Sequence, residues 1–269
     1  VKRLFPPVVT GPVIIIIGIN LASTAINDAS GWADFSAPLS SATYMNIFIA
    51  LFTLAVVILC NYIQKGFFKL VPILIGIAAG YILCIILNAL GLYSLDLSSI
   101  GQAAWINIPF VTKDANGVGF FTLPQFHWGA ILSIAPIAIV TFMEHIGDIT
   151  TNGAVVGQDF IKDPGLHRTL AGDGLATIFA GFVGGPPETT YAENTGVLAT
   201  TKNYNPQLLR IAAIFALVLG FVGKFGAILQ TIPGPVKGGV EIMLFGMIAA
   251  IGIRTLAEAN LDFTHSRNL

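Results

Sequence analysis

Charge is what this chain has least of. Of its 269 residues, 13 are Lys or Arg and 14 are Asp or Glu, so 10% are charged, against about a quarter in an ordinary soluble domain. The formal net charge is −1. No basic surface exists to hold a phosphate backbone, which excludes a nucleic-acid-binding protein. Cysteine is nearly missing too. Cys60 and Cys84 both fall inside apolar runs, and their spacing makes neither a disulfide framework nor a metal-ligand set. No metal and no cofactor is expected. Low-complexity segments and direct internal repeats are also lacking.

What is abundant is apolar surface. Hydrophobic residues make up 55% of the chain, and the mean hydropathy is +0.81. A bilayer-spanning helix needs about 20 mostly apolar residues. The sequence predicts such helices at about 8–27, 43–63, 69–90, 127–156, 206–230 and 236–257, with a shorter, Gly-rich one at 168–183. The fold class expected is an all-α polytopic membrane protein. Basic residues alternate between loops: Lys2 and Arg3, then Lys65 and Lys69, then Lys162, His167 and Arg168. The positive-inside rule makes these loops cytoplasmic and the long 91–126 loop extracytoplasmic.

One segment breaks the helical pattern. Gly184-Gly185-Pro186-Pro187 is a strong helix stop. Glu188-Thr189-Thr190-Tyr191 after it is β-prone, and helical character returns only from about Thr195. An extended stretch feeding a half-helix is the trace of a discontinuous membrane segment. Irregular backbone at membrane depth survives only where protein or a wet cavity satisfies it.

The few acidic residues inside apolar runs carry the chemistry. Glu144 lies in the 127–156 run and shares a helix face with Asp148, four residues on. Intramembrane carboxylates usually face a cavity and mark a substrate or ion path. The competing reading is that the helix ends near Glu144 and its polar residues are solvated; Ala154-Val155-Val156 extend the apolar pattern past that point. Glu193 stands one residue before Asn194, the expected N-cap of the half-helix. Exposed N–H groups at a helix start donate, and an ionised Glu accepts. Together they match the –NH–C(=O)– edge of a uracil or oxopurine ring. A polar inter-helix loop is the bland alternative. Tyr191 is available to stack on a planar ligand or to pack within the segment.

Two segments bear a family resemblance. Glu193-Asn194-Thr195-Gly196 through Thr201-Lys202 resembles the signature of the nucleobase–ascorbate transporter family (nucleobase:cation symporter family 2). Glu144-His145-Ile146-Gly147-Asp148 is similar to that family's other substrate-site segment. Asp163–Pro187 and Leu4–Val13 resemble its bacterial uracil permeases, and the likeness runs over essentially all of the chain. The resemblance implies a fourteen-segment fold in two inverted sevens, divided into a core that holds substrate and a gate. It assigns 1–92 to gate-domain helices, 93–126 to an extracytoplasmic loop, 127–232 to the core and 233–269 to a gate helix with a C-terminal stub. The chain then reads as a fragment without the first four and last two segments, and is not expected to transport alone.

Carried over by position, Glu144 and Glu193 resemble the two substrate-binding carboxylates. Tyr191 and Ala192 match the stretch whose backbone contacts substrate, with Asn194 beside it. Glu144 and Asp148 are the expected proton-coupling pair. The implied activity is uracil:proton symport across the inner (plasma) membrane, with no enzymatic step, and pairing of two copies through the gate helices is compatible with it. Asp148 stands where some uracil permeases carry His and purine carriers often carry Asp, so a xanthine or uric acid symporter is the first alternative. Glu at 193, where purine carriers often have Gln, favours uracil. Ala192 replaces a usual Gly and Glu188 a usual Asn, which alters the cradle. Other classes fit less well. An anion exchanger is disfavoured by Glu144 and Glu193, and an intramembrane hydrolase lacks a metal set such as HExxH. A non-transporting membrane fragment is the remaining alternative.

Overall fold

The computed structural model describes residues 7–32, 38, 40–63, 68, 71–107, 111–113, 119–121, 124–191 and 193–258. Lys2, Arg3, Lys65, Lys69 and Ala192 lie outside these residues, as do the first residues of the Leu4–Val13 motif. Among the described residues the regular structure is helical apart from one short hairpin. It forms five helical runs long and apolar enough to cross a membrane, as expected of a multi-pass membrane protein. Many large apolar side chains on these runs are exposed, among them Ile16, Leu51, Leu59, Leu74 and Ile253. Exposed apolar surface of this extent marks a lipid- or protein-facing wall. Backbone contacts divide the chain into two compact units, residues 1–102 with 227–269, and residues 103–226.

The first unit packs α1 (Pro7–Ser30), α2 (Ser41–Ile63), α3 (Pro72–Ala89), the short α4 (Ser98–Gln102) and α11 (Gly234–Glu258). Its longest seam runs between α1 and α11 and depends on glycine. A Cβ on Gly18 would stand 2.7 Å from both the Ala249 nitrogen and the Phe245 oxygen. A Cβ on Gly238 would collide with the Ala29 backbone nitrogen. Small residues let helix backbones approach to this range inside a membrane protein. The apolar core joins Ile49, Cys84, Leu87 and Val236, with Met45, Ile77 and Ile232 packed on it. Both cysteines are free and buried. Polar ties also join its elements. The Asn46 amide donates to Ser30 O at 3.1 Å. The Tyr81 hydroxyl meets Thr231 Oγ1 at 2.7 Å, while Thr231 itself donates to Ile228 O.

The second unit carries β1 (Val111–Lys113) and β2 (Gly119–Phe121), paired antiparallel with Val111 opposite Phe121. Its α-helices are α5 (Trp128–Ile134), α6 (Ile137–Val156), α7 (Leu166–Phe182), α8 (Glu193–Thr201) and α9 (Pro206–Gly220), with a π-helical turn at Ile161–Gly165 leading into α7. Helix α10 (Gly223–Gln230) spans the division between the units.

Three expectations are corrected here. The 127–156 run is one membrane-length run but is interrupted at Pro136, which cannot donate into the ladder and whose ring crowds the preceding turn; α5 stops at Ile134 and α6 starts at Ile137. The 206–230 run also breaks. Val222 leaves the helix to form a bridge with Ile106, with Asn107 N donating to Phe221 O at 2.9 Å and Gly223 N to Trp105 O at 3.0 Å. The half-helix begins at Glu193, two residues earlier than expected, so Asn194 lies in its first turn and is not its cap. The helix ends at Thr201, where Lys202 turns left-handed (φ 54°). A built N-cap does appear one helix later: Asn205 accepts from Gln207 N at 3.0 Å ahead of Pro206.

Candidate functional site

The second unit brings the motif residues together through side-chain hydrogen bonds. Helix α7 ends at Phe182, and Gly184 turns the chain with φ 79°, a left-handed value that glycine adopts freely. Gly185 N closes the helix end on Ala180 O at 2.7 Å. Pro186 and Pro187 then forbid further helix, and residues 185–191 run without regular structure. Residues 185–191 are non-helical, as expected from the Gly184-Gly185-Pro186-Pro187 stop.

Three successive residues of this segment are held by two different helices. Thr177 on α7 donates to Glu188 O at 3.0 Å. Thr189 donates to Glu144 Oε2 on α6 at 3.3 Å. Thr190 Oγ1 lies 2.6 Å from His145 Nδ1, also on α6. The segment is therefore fixed residue by residue just before the chain enters α8.

The α6 side of the site is half-buried. Glu144 and Asp148 share one face and both keep intermediate exposure. Gly147, between them, has open space where a Cβ would stand, so ligand could approach that face of the helix. The polar stripe beyond Asp148 contributes less than its composition suggests. Thr150 and Thr151 turn their hydroxyls back to Ile146 O and Gly147 O, at 2.7 and 2.9 Å. On the other side Tyr191 is 60% exposed, and Asn194 is exposed at the start of α8. Thr195 and Leu198 are buried, which seats α8 against its neighbours; α6 is the helix it packs on. Glu193 is the first residue of α8; its side chain, like the whole of Ala192, lies outside the described residues. The expected convergence of Glu144 and Glu193 on one cavity is thus undescribed on the Glu193 side.

Sequence reasoning passed over the most buried member of the cluster. His145 is 3% exposed. Its Nε2 lies 2.9 Å from Thr169 Oγ1, and its Nδ1 lies 3.5 Å from Asp173 Oδ2. Thr169 and Asp173 are four residues apart on α7, one face of one helix; that spacing, with the Thr189-Thr190 pair, was a readable signal. Among the described residues no three His, Cys, Asp or Glu side chains gather as a metal-binding group. The arrangement offers a carboxylate fixed by a hydroxyl, a second carboxylate one turn away, an exposed aromatic ring and a helix start. Such a set offers hydrogen-bond acceptors, a ring face and backbone N–H donors to a small polar molecule.

Comparison with known proteins agrees in kind. The model of the Permease family matches residues 1–269. The chain is similar to the uracil permease of Bacillus caldolyticus, 43% identical over 270 residues, covering 100% of this chain and 59% of that protein. It is similar to the uracil permease of Bacillus subtilis (strain 168), 43% identical over 270 residues, covering 99% of this chain and 59% of the relative. To the uracil permease of Escherichia coli (strain K12) it is 40% identical over 267 residues, covering 99% of this chain and 58% of the relative. The chain thus spans about 60% of the length of the curated relatives it matches.

Proposed function

The chain belongs to the Permease family, the nucleobase–ascorbate transporters, along its whole length, and from that premise we propose that the intact protein carries uracil together with a proton across the cytoplasmic membrane. The observation that carries this reading is the 3.3 Å bond from Thr189 to Glu144 Oε2. It ties a half-buried intramembrane carboxylate to the extended segment that leads into α8, and so to a helix start. Glu193, at that start, is the ligand anchor in this reading, because the helix dipole favours its anion. An ionised carboxylate accepts from ring N–H groups, while backbone N–H groups at the helix start donate to ring carbonyls. Tyr191 supplies a face for the ring, and Ala192 and Asn194 complete the cradle.

Glu144, with Asp148 one turn away, is the proton carrier in this scheme. Two carboxylates this close resist ionising together, so one accepts a proton as substrate binds. Residues 127–232 act as the core, and 1–92 with 233–269 as the gate, and movement of one against the other gives alternating access. The 93–126 loop is extracytoplasmic, and two copies pair through gate helices.

A xanthine or uric acid substrate is the second reading, favoured by Asp148 in its half-buried place on α6. Uptake by the intact protein in proteoliposomes separates the two. Labelled uracil should accumulate under an inward proton gradient, with unlabelled uracil competing better than xanthine. Stronger competition by xanthine would move the assignment to purines. Equal uptake with and without the gradient would remove the proton.

A further inference from the structure

The His145 cluster has a feature that the carboxylate chemistry does not use. The ring touches all three elements of the site: its own helix α6, Thr169 and Asp173 on α7, and Thr190 on the extended segment. Its protonation pattern follows from its neighbours. Thr169 donates its hydroxyl hydrogen to Leu166 O at 3.0 Å, so at 2.9 Å its oxygen is left to accept from Nε2–H. In the neutral ring Nδ1 then carries the lone pair, and the Thr190 hydroxyl donates to it at 2.6 Å. The Asp173 carboxylate, 3.5 Å from Nδ1, lies beyond a good hydrogen bond.

We infer that His145 is a positioning residue: through Nδ1 it holds Thr190, and with it Tyr191 and the start of α8, opposite Glu144. The inference rests on the nucleobase-cradle reading of the same site. The geometry favours this over plain packing. Thr189 and Thr190 are adjacent, and so are Glu144 and His145. One threonine grips the carboxylate and the next grips the ring. The segment therefore cannot slide along α6 by a residue without breaking both bonds. His145, at 3% exposure, is the sheltered half of this clasp, while Glu144 is half-buried. Asn was an available alternative for Nδ1 alone and Gln for Nε2 alone; only His reaches Thr190 and Thr169 together.

That last point supplies the test. In His145→Asn the amide oxygen falls near the place of Nδ1 and can still accept from Thr190. In His145→Gln the amide falls near Nε2 and keeps Thr169 only. Both variants, with Thr190→Val and the pair His145→Gln/Thr190→Val, are to be made in the intact permease. Equilibrium binding of labelled uracil and hydrogen–deuterium exchange of the amides of Glu188–Tyr191 are then measured, with exchange in Gly234–Glu258 as the folding control. Losing one buried hydrogen bond and leaving its partner unpaired should weaken uracil about tenfold in His145→Gln and in Thr190→Val. His145→Asn should recover most of the affinity, and the double variant should be no worse than either single one. Exchange at Glu188–Tyr191 should rise in the Gln and Val variants and stay low in Asn. Equal behaviour of Asn and Gln in both readouts, or additive losses in the double variant, would overturn the inference. If the wild-type protein binds no uracil, the substrate reading falls, while the exchange comparison still decides the role of His145.

Discussion

The two compact units are built from the same apolar alphabet but are held together differently. In the unit of residues 1–102 and 227–269, the buried side chains are apolar ones such as Ala25, Ile49, Val57, Cys84, Leu87 and Val236, with the hydroxyls of Ser30, Thr43, Thr53 and Thr231 among them. Its helices meet through glycine contacts, and its buried hydroxyls bond mainly to residues three or four positions away, as Thr53 does to Ile49 O and Ser30 to Ile26 O. In the unit of residues 103–226, buried apolar side chains among the described residues reduce to Met143, Ala180 and Leu198, while His145 and Thr195 are buried with them. Here hydroxyls, a histidine and a carboxylate hold an extended segment in place. Apolar packing fixes a helix seam but cannot satisfy backbone that has left its helix. In the second unit, side-chain bonds from two helices hold residues 188–190.

This contrast can be broken at either end. The largest effect should come from Glu144→Gln, which keeps the shape of the side chain but removes its titratable group. Proton-driven accumulation of uracil in proteoliposomes should be lost, with some equilibrium binding retained. Gly238→Ala attacks the other unit. The new Cβ overlaps the Ala29 backbone, and overpacking of this kind costs about 1–3 kcal/mol. Thermal melting of the purified protein should fall, while the uracil affinity of the surviving folded fraction stays near wild type. A specific loss of affinity would mean that the seam communicates with the site.

Glu193→Gln is expected to weaken uracil binding about tenfold to a hundredfold, since a mismatched buried polar group costs about 1–3 kcal/mol. A direct binding titration reads this without any gradient. The smallest effect belongs to Asn205→Ala, which deletes the N-cap bond to Gln207 N. Loss of a cap costs about 1 kcal/mol, so stability should drop slightly with no change in substrate preference between uracil and xanthine.

The helices of the first unit were legible because their information is local. The apolar run from Thr43 to Ile63 needs no partner to be read, and it forms α2 over Ser41–Ile63. The extended segment was legible for the same reason, since Pro186 and Pro187 forbid helix whatever surrounds them. The break at Phe221–Val222 was not, because it is made by Ile106, more than a hundred residues away in the chain. The start of α8 was placed late because Glu193 and Asn194 fit a cap or a first turn equally well by residue type. Glu144 stood out as a charge in an apolar run. His145 beside it did not, since its meaning lies in Thr169, Asp173 and Thr190, which only the tertiary structure gathers.

The claim that the polar unit binds its substrate with a proton is tested most directly by the pH dependence of uracil binding to the intact protein. Wild type and Glu144→Gln are compared by equilibrium titration across the physiological pH range. The account predicts that wild-type affinity falls as pH rises, because the bound state holds a proton that the free site releases, and that the variant's affinity is flat with pH. A Glu144→Gln protein whose affinity follows the same pH curve as wild type would contradict it.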